Sequence, residues 1–306
     1  MVYHSFDQIL DRARENQVRR RVAVAGAADR HVLEAALEAW RMGIASPLLI
    51  GDPAEMERLL REAGHTGGKF EIVKAATPAE CGETAVELVR KQRADFIMKG
   101  MTDTKDVLKP LVKKENGLHL GRTMSHVALD EIPGMSRLTA LTDGGMIPCP
   151  TLEEKRDIII NAVEMFRALG YERPSVAVLC AVEKVNPLMP ETVDAEALAA
   201  MNREGVIPNC DVVGPISYDI AMSAVIAEEK KFDCPYCGRF DILLVPSMVA
   251  GNLLNKSLTV SAGAMMAGVI TGAKVPVVVT SRGSAAKEKL LSLALASLIM
   301  KEEKVV

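Results

Sequence analysis

Asp241-Ile-Leu-Leu-Val-Pro-Ser-Met-Val-Ala-Gly-Asn-Leu-Leu-Asn-Lys-Ser257, resumed at Val275-Pro-Val-Val-Val-Thr-Ser-Arg-Gly-Ser284, is the stretch whose reading decides the fold. It holds two short apolar runs, Asp241–Val245 and Val275–Thr280, each of a length that suits a buried strand. Small polar residues follow each run and predict a turn, Ala250-Gly251-Asn252 after the first and Ser281-Arg282-Gly283 after the second. A helical pattern follows each turn. Strand, turn and helix in that order form the unit of an open α/β sheet, whose ligands bind beyond the carboxyl ends of the strands.

The same alternation fills the first hundred residues. An amphipathic helix over 5–20 precedes a strand at Arg21–Ala25, and Asp29 caps a helix from Arg30 to Met42. A strand at Pro47–Ile50 leads to Pro53, which suits a first helical position, and Gly64 stops that helix. Phe70–Val73 and Asp95–Met98 are further strands around a helix opened by Thr77-Pro78. Thr102 or Asp103 caps a helix to Lys114 that Pro110 kinks or shortens. This alternation predicts a parallel sheet covered by helices on both faces. The pattern changes at Ser125–Ile132 and Arg137–Asp143, two strands joined by the Pro133-Gly134 turn, which read as a hairpin. Helices at Leu152–Leu169, Glu191–Glu204, Tyr218–Lys230 and Ser284–Met300, with a strand at Ser175–Cys180, complete the reading.

Of 306 residues, 49% are apolar, so a sizeable core is available, and the length predicts two domains. A net charge of −3 with 4% aromatics gives neither the basic field nor the stacking surfaces of a nucleic-acid binder. No run of about 18 apolar residues predicts a membrane span, and the N-terminus lacks a secretion-signal layout, so a cytoplasmic protein with reduced thiols is expected.

Several motifs fail on inspection. No strand precedes Gly-x-Gly-x-x-Gly, which disfavours a dinucleotide fold. Gly263 and Gly268 have phosphate-loop spacing, but Val269 and Ile270 stand where Lys and Ser/Thr are needed, so these glycines are read as helix-packing positions. Cys234-Pro-Tyr-Cys237 is a single pair in a polar loop, short of the four ligands of a structural zinc site. His119 and His126 have no nucleophile partner in the pattern. Ser281-Arg282-Gly283 is the sharpest signal. A hydroxyl, a guanidinium and the helix N-terminus at Ser284 suit a phosphate or a developing oxyanion, with Glu288 one turn further on.

Taken together, these residues resemble the phosphate acetyltransferase and phosphate butyryltransferase family. The resemblance runs through Val24-Ala-Gly-Ala-Ala-Asp29, Met98-Lys-Gly-Met-Thr-Asp-Thr-Lys105, Gly121-Arg-x-x-Ser-His-Val127 and Leu141-Thr-Asp-Gly-Gly145. It continues in Val212-Val-Gly-Pro-Ile216 with Asp219, Ala250-Gly-Asn252 with Lys256-Ser257, and Thr280-Ser-Arg282. It implies a two-domain α/β fold with parallel or mixed sheets, similar to isocitrate and isopropylmalate dehydrogenases. The expected domains are 1–130 with 281–306, and 131–280, with an active cleft between them and a homodimer or other homo-oligomer as the assembly.

The implied reaction is reversible transfer of a short-chain acyl group between coenzyme A and inorganic phosphate, with no resident metal or redox cofactor. Coenzyme A, acyl-coenzyme A, phosphate and acyl phosphate are the expected partners. By resemblance, Ser281 stabilises the charged transition state, Arg282 binds phosphate and polarises the acyl carbonyl, and Glu288 stands where acetyltransferases carry the aspartate base. Lys109, Thr102, Asn252 and Lys256 are the expected substrate-binding residues. Lys109 replaces an arginine, Val260 stands in place of another, and Ser247 replaces an acidic residue. The loss at 260 favours the butyryl branch over the acetyl one. A coenzyme-A-binding protein that has lost catalysis, and a metal-dependent dehydrogenase on the same fold, are the rival readings.

Overall fold

A computed structural model describes residues 2–65, 70–281 and 283–300. The chain divides into two compact units: Asp7–Gly121 with Ala267–Val306, the first unit, and Met1–Phe6 with Arg122–Met266, the second.

In the first unit, α1 (Phe6–Glu15) precedes β1 (Arg20–Ala25), whose Val22, Ala23, Val24 and Ala25 are buried. Asp29 caps α2 (Arg30–Arg41) by accepting the Val32 N–H at 2.9 Å. β2 (Ala45–Gly51) leads to α3 (Pro53–Glu62), opened by its proline and followed by Gly64 at φ +71°. β3 (Glu71–Lys74), α4 (Pro78–Arg90), β4 (Phe96–Lys99) and α5 (Thr104–Leu111) complete this run. α5 ends one residue after Pro110, short of the expected Lys114, and the Asn116 amide donates to the Pro110 carbonyl at 2.7 Å.

In the second unit, β5 (Ser125–Glu131) and β6 (Thr139–Thr142) pair antiparallel, as the hairpin reading expects. α6 (Leu152–Ala168) starts from a capping box of Thr151 and Glu154. β7 (Ser175–Leu179), α7 (Pro190–Arg203) and β8 (Asp211–Ile216) follow. The expected helix over 218–230 is two pieces, α8 (Tyr218–Met222) and α9 (Ala224–Glu229), because Ser223 leaves the helix and caps the second piece through Ile226 N–H. β9 (Ile242–Leu244) then leads into α10 (Met248–Lys256). Beyond it lie β10 (Met265–Thr271), β11 (Val277–Val278) and α11 (Ala286–Ile299).

The strand order is β3-β2-β1-β4-β11-β10 in the first unit and β5-β6-β9-β7-β8 in the second. Both sheets are mixed: β10 runs antiparallel to β11 and β5 antiparallel to β6, among parallel neighbours. The α/β class with helices flanking mixed sheets therefore holds.

Three details of the reading are corrected. Ala250-Gly251-Asn252 is not a turn but lies inside α10, whose cap is Ser247. Gly251 is there for close approach, since a Cβ would stand 2.7 Å from the Gly144 Cα. Gly268 lies in a strand rather than a helix, and its N–H donates to the Ser292 hydroxyl of α11 at 2.9 Å. Cys237 is buried in an apolar cluster with Ile216, Ile220 and Phe240, and Cys234 packs against it, so their loop is not simply polar. Within the second unit β5 pairs with β6, and within the first β11 pairs in parallel with β4, Val278 opposite Met98.

Candidate active site

Strands β1 and β4 are neighbours from which the chain departs differently: β1 leads to β2 on the side away from β4, whereas β4 leads through α5 out of the first unit. Such a switch point is where open α/β sheets present ligand sites, beyond the carboxyl ends. Here the ends are joined by backbone. The Gly100 N–H donates to Ala25 O at 2.8 Å, and the Met101 N–H to Gly26 O at 2.7 Å. A Cβ on Gly100 would stand 2.3 Å from Gly26 O, so only glycine permits the crossing. Thr102 follows, 2% exposed, and its hydroxyl has no hydrogen-bond partner among the described residues. Lys99, also buried, turns its ammonium back to Gly100 O at 3.3 Å and Thr102 O at 3.2 Å.

β11 lies on the other side of β4, so its carboxyl end opens beside Thr102. Three residues past the Val278–Met98 pair, the chains reach Ser281 and Met101. Ser281 is exposed, and its carbonyl accepts the Ser284 N–H at 3.1 Å, closing the turn into α11. Lys289, 3% exposed, donates to Thr280 Oγ1 at 3.3 Å, Ser281 O at 3.2 Å and Ser284 O at 3.0 Å. Burial holds its pKa below the ordinary lysine value, against the pull of Asp29 and Glu288.

The second unit ends its strands around a cavity of about 630 Å³. Cys180 after β7, Val245 and Ser247 after β9, and Leu254 of α10 line it, together with Lys155 and Asp194. Lys155, 7% exposed in its side chain, is paired with Asp194 at 2.6 Å. Burial, with Glu191 nearby, pushes the Cys180 thiol up to about 11. At the end of β6, buried Asp143 accepts the N–H groups of Gly145 at 2.8 Å, Met146 at 3.0 Å and Ile147 at 3.2 Å. Burial nevertheless outweighs these donors and raises its pKa. Among the described residues, no group of three or more His, Cys, Asp or Glu side chains could hold a metal ion, and no helix is long and apolar enough to cross a membrane.

Comparison with known proteins gives the family. The family model described as Phosphate acetyl/butaryl transferase fits residues 5–85 and 57–297. The chain belongs to that family. It is 40% identical to the phosphate butyryltransferase of Clostridium acetobutylicum over 96% of this chain and 98% of that one. It is also 40% identical to the phosphate acetyltransferase of Thermotoga maritima, over 91% and 94%. A crystal structure of a branched-chain phosphotransacylase from Enterococcus faecalis V583 superposes with a TM-score of 0.80 at 32% identity, covering 92% of this chain and 99% of that one.

Within this phosphate acetyl/butyryl transferase chain, the structure brings Thr102 and Ser281 to neighbouring strand ends. Glu288 stands half-buried in the first turn of α11, where its carbonyl accepts the Ser292 hydroxyl at 2.8 Å. Lys109 is exposed on the last turn of α5, about 8 Å along the helix axis from its start. Asn252 and Lys256 sit on the second unit, exposed and one turn apart on one face of α10, and the Asn252 amide approaches Gly144 O at 3.5 Å. Arg282 lies outside the described residues. Val260, in place of an acetyltransferase arginine, is 83% exposed.

Lys289 escaped the sequence reading. Its signal is a single lysine opening an otherwise apolar or small run, Leu290 to Ile299, in a helix buried almost all round. Lys99 and Asp143 lay inside quoted motifs, but nothing in their spacing showed that they are buried.

Proposed function

We propose that the protein catalyses reversible transfer of a short-chain acyl group, butyryl before acetyl, between coenzyme A and inorganic phosphate. The observation that carries this reading is that Ser281 and Thr102 follow the carboxyl ends of the neighbouring parallel strands β11 and β4, with Lys289 and Lys99 buried close by in sequence. Hydroxyls beside cationic side chains suit phosphoryl oxygens and an oxyanion. In this reading the coenzyme A thiolate attacks the acyl carbonyl of the acyl phosphate, the carbon–sulfur bond forms, and phosphate leaves. The Ser281 hydroxyl donates to the developing oxyanion. Arg282 holds the phosphate, and Glu288 accepts the thiol proton. Thr102 and Lys109 on the first unit, and Asn252 and Lys256 on the second, bind substrate. The thioester and phosphate are substrates, and no resident cofactor is needed.

A cytoplasmic homo-oligomer is part of the same proposal. Exposed Val249, Leu253 and Val260, 62%, 63% and 83% accessible on α10 and its extension, support an apolar surface that a second copy covers. The acetyl reading keeps standing as the second choice, because the Thermotoga acetyltransferase is as similar as the Clostridium butyryltransferase. The test offers butyryl- and acetyl-coenzyme A with phosphate and follows free thiol. Release is expected with both, faster with butyryl, and Ser281→Ala lowers the rate about 100-fold. Absence of thiol release with every acyl chain overturns the reading, and release from acetyl-coenzyme A alone moves the protein to the acetyl branch.

A further inference from the structure

We propose that Lys289 is a positioning residue for this transfer, holding the turn that carries Ser281 and placing under it the fixed positive charge that a phosphoryl group answers. The inference rests on the acyl-transfer reading. Lys289 is almost wholly buried at the start of α11, and its three N–H donors go to three neutral oxygens. Two of these, on Thr280 and Ser281, end the strand, and the third, on Ser284, opens the helix. The ammonium therefore ties the two sides of the turn together. Its donors are all engaged, so it acts through the turn and not by touching the ligand.

A structural tie between oxygens needs donors but not a charge. Here the charge is kept in spite of its cost. No carboxylate stands within ion-pair distance of Nζ among the described residues. Asp29 and Glu288 are felt only at longer range, and Asp29 is engaged as the cap of α2. A buried charge without a close partner is unfavourable until an opposite charge arrives. The oxygens of inorganic phosphate or of an acyl phosphate are that opposite charge. The turn is also aimed for it: because a trans peptide sets C=O and N–H in opposite directions, drawing Ser284 O inward turns the Ala285 N–H outward, at the positive end of α11. On the adjacent strand the Lys99 ammonium likewise donates to backbone carbonyls, those of Gly100 and Thr102.

The decisive experiment is steady-state kinetics on Lys289→Gln and Lys289→Arg with butyryl-coenzyme A and phosphate varied separately, alongside thermal melts. Glutamine keeps donors for the turn and removes the charge. Its KM for phosphate is expected to rise about tenfold, equivalent to about 1.4 kcal/mol, with the KM for butyryl-coenzyme A within about twofold of wild type. Arginine keeps the charge and restores most of the phosphate KM. A Lys289→Gln enzyme that melts like wild type with an unchanged phosphate KM overturns the proposal. So does one whose only change is a lower kcat, the mark of a merely structural tie. If the glutamine variant does not fold, Lys289→Arg decides alone: a retained phosphate KM supports the charge, and a tenfold rise refutes it. An inactive wild-type enzyme would instead strike the acyl-transfer reading itself.

Discussion

In the first unit a Cβ on Gly100 would come within 2.3 Å of the Gly26 carbonyl oxygen, and in the second a Cβ on Gly251 would come within 2.7 Å of the Gly144 Cα. Both units thus use paired glycines at the carboxyl ends of their strands, with different results. The first pair lays one loop on another. That contact fills the switch point with backbone and leaves Lys99, Thr102 and Lys289 buried around it. The second pair lays helix α10 on a loop, and the start of that helix becomes a wall of the 630 Å³ cavity. There the charged lining is mixed, Lys155 against Asp194 and Glu191, and Asp143 is sealed at the neighbouring strand end. One topological position has become a compact cationic seat in one unit and a roomy, partly apolar hollow in the other. The first suits a small anion, the second an organic group.

Alanine at each glycine pair measures how different the two closures are. In Gly100→Ala every close contact is backbone, including Ala25 O at 3.0 Å, and the Gly100 N–H bond to Ala25 prevents retreat. The expected loss is about 3 kcal/mol or more in denaturant unfolding, with activity falling alongside. Gly251→Ala meets the Val245 side chain as well as Gly144, and alanine returns about 1 kcal/mol of helix propensity, so a net loss of about 1–2 kcal/mol is expected. Equal losses at the two sites would break the contrast between loop-on-loop and helix-on-loop packing.

Carboxylates sharpen the contrast next. If Glu288 takes the thiol proton, Glu288→Gln lowers kcat about 100-fold, and Glu288→Asp recovers part of it. Asp194 in the second unit is bound to buried Lys155 and takes no proton in this scheme. Asp194→Asn should therefore cost stability and leave kcat near the wild-type value. A Glu288→Gln enzyme that turns over like wild type removes that residue from the chemistry. Any chemical role then rests with the hydroxyl of Ser281 and the guanidinium of Arg282.

Much of the first unit was legible because its signals are local. Asp29, Pro53, Thr77 and the Asp103–Asp106 capping box mark helix starts by chemistry acting within one turn. The Pro133-Gly134 turn marked the hairpin in the same way. What stayed hidden depends on partners distant in sequence. Gly251 reads as a turn residue until Gly144, more than a hundred positions away, is packed against it. β10 carries a mid-strand glycine that weakens its pattern, and the partner of its N–H is a hydroxyl on α11, Ser292. Lys289 reads as a surface lysine because its acceptors are two backbone carbonyls and one hydroxyl, none of which periodicity can see. Ser281 was legible as a strand-end hydroxyl, whereas the charge beneath it was not.

Asp143 offers the mildest test, one of slope and not of size. Backbone N–H donors of Gly145, Met146, Ile147 and His126 favour its carboxylate, but burial prevails and its folded pKa is raised above the unfolded one. Over the interval between those two values the folded state holds more proton than the unfolded state. Stability from this group is therefore complete at pH values below the ordinary carboxylate range and declines as pH rises through the raised value. Asparagine imitates the protonated acid. It keeps one acceptor oxygen for Gly145 and Met146, loses the acceptor facing Ile147, and does not titrate. Asp143→Asn is thus expected to be slightly less stable than wild type in acid and to lose less stability on going to neutral pH, which urea unfolding at a series of pH values would read directly. Parallel curves would mean that the backbone N–H groups cancel the burial. The second unit's strand end would then hold its anion comfortably, and the electrostatic contrast between the two units would fall.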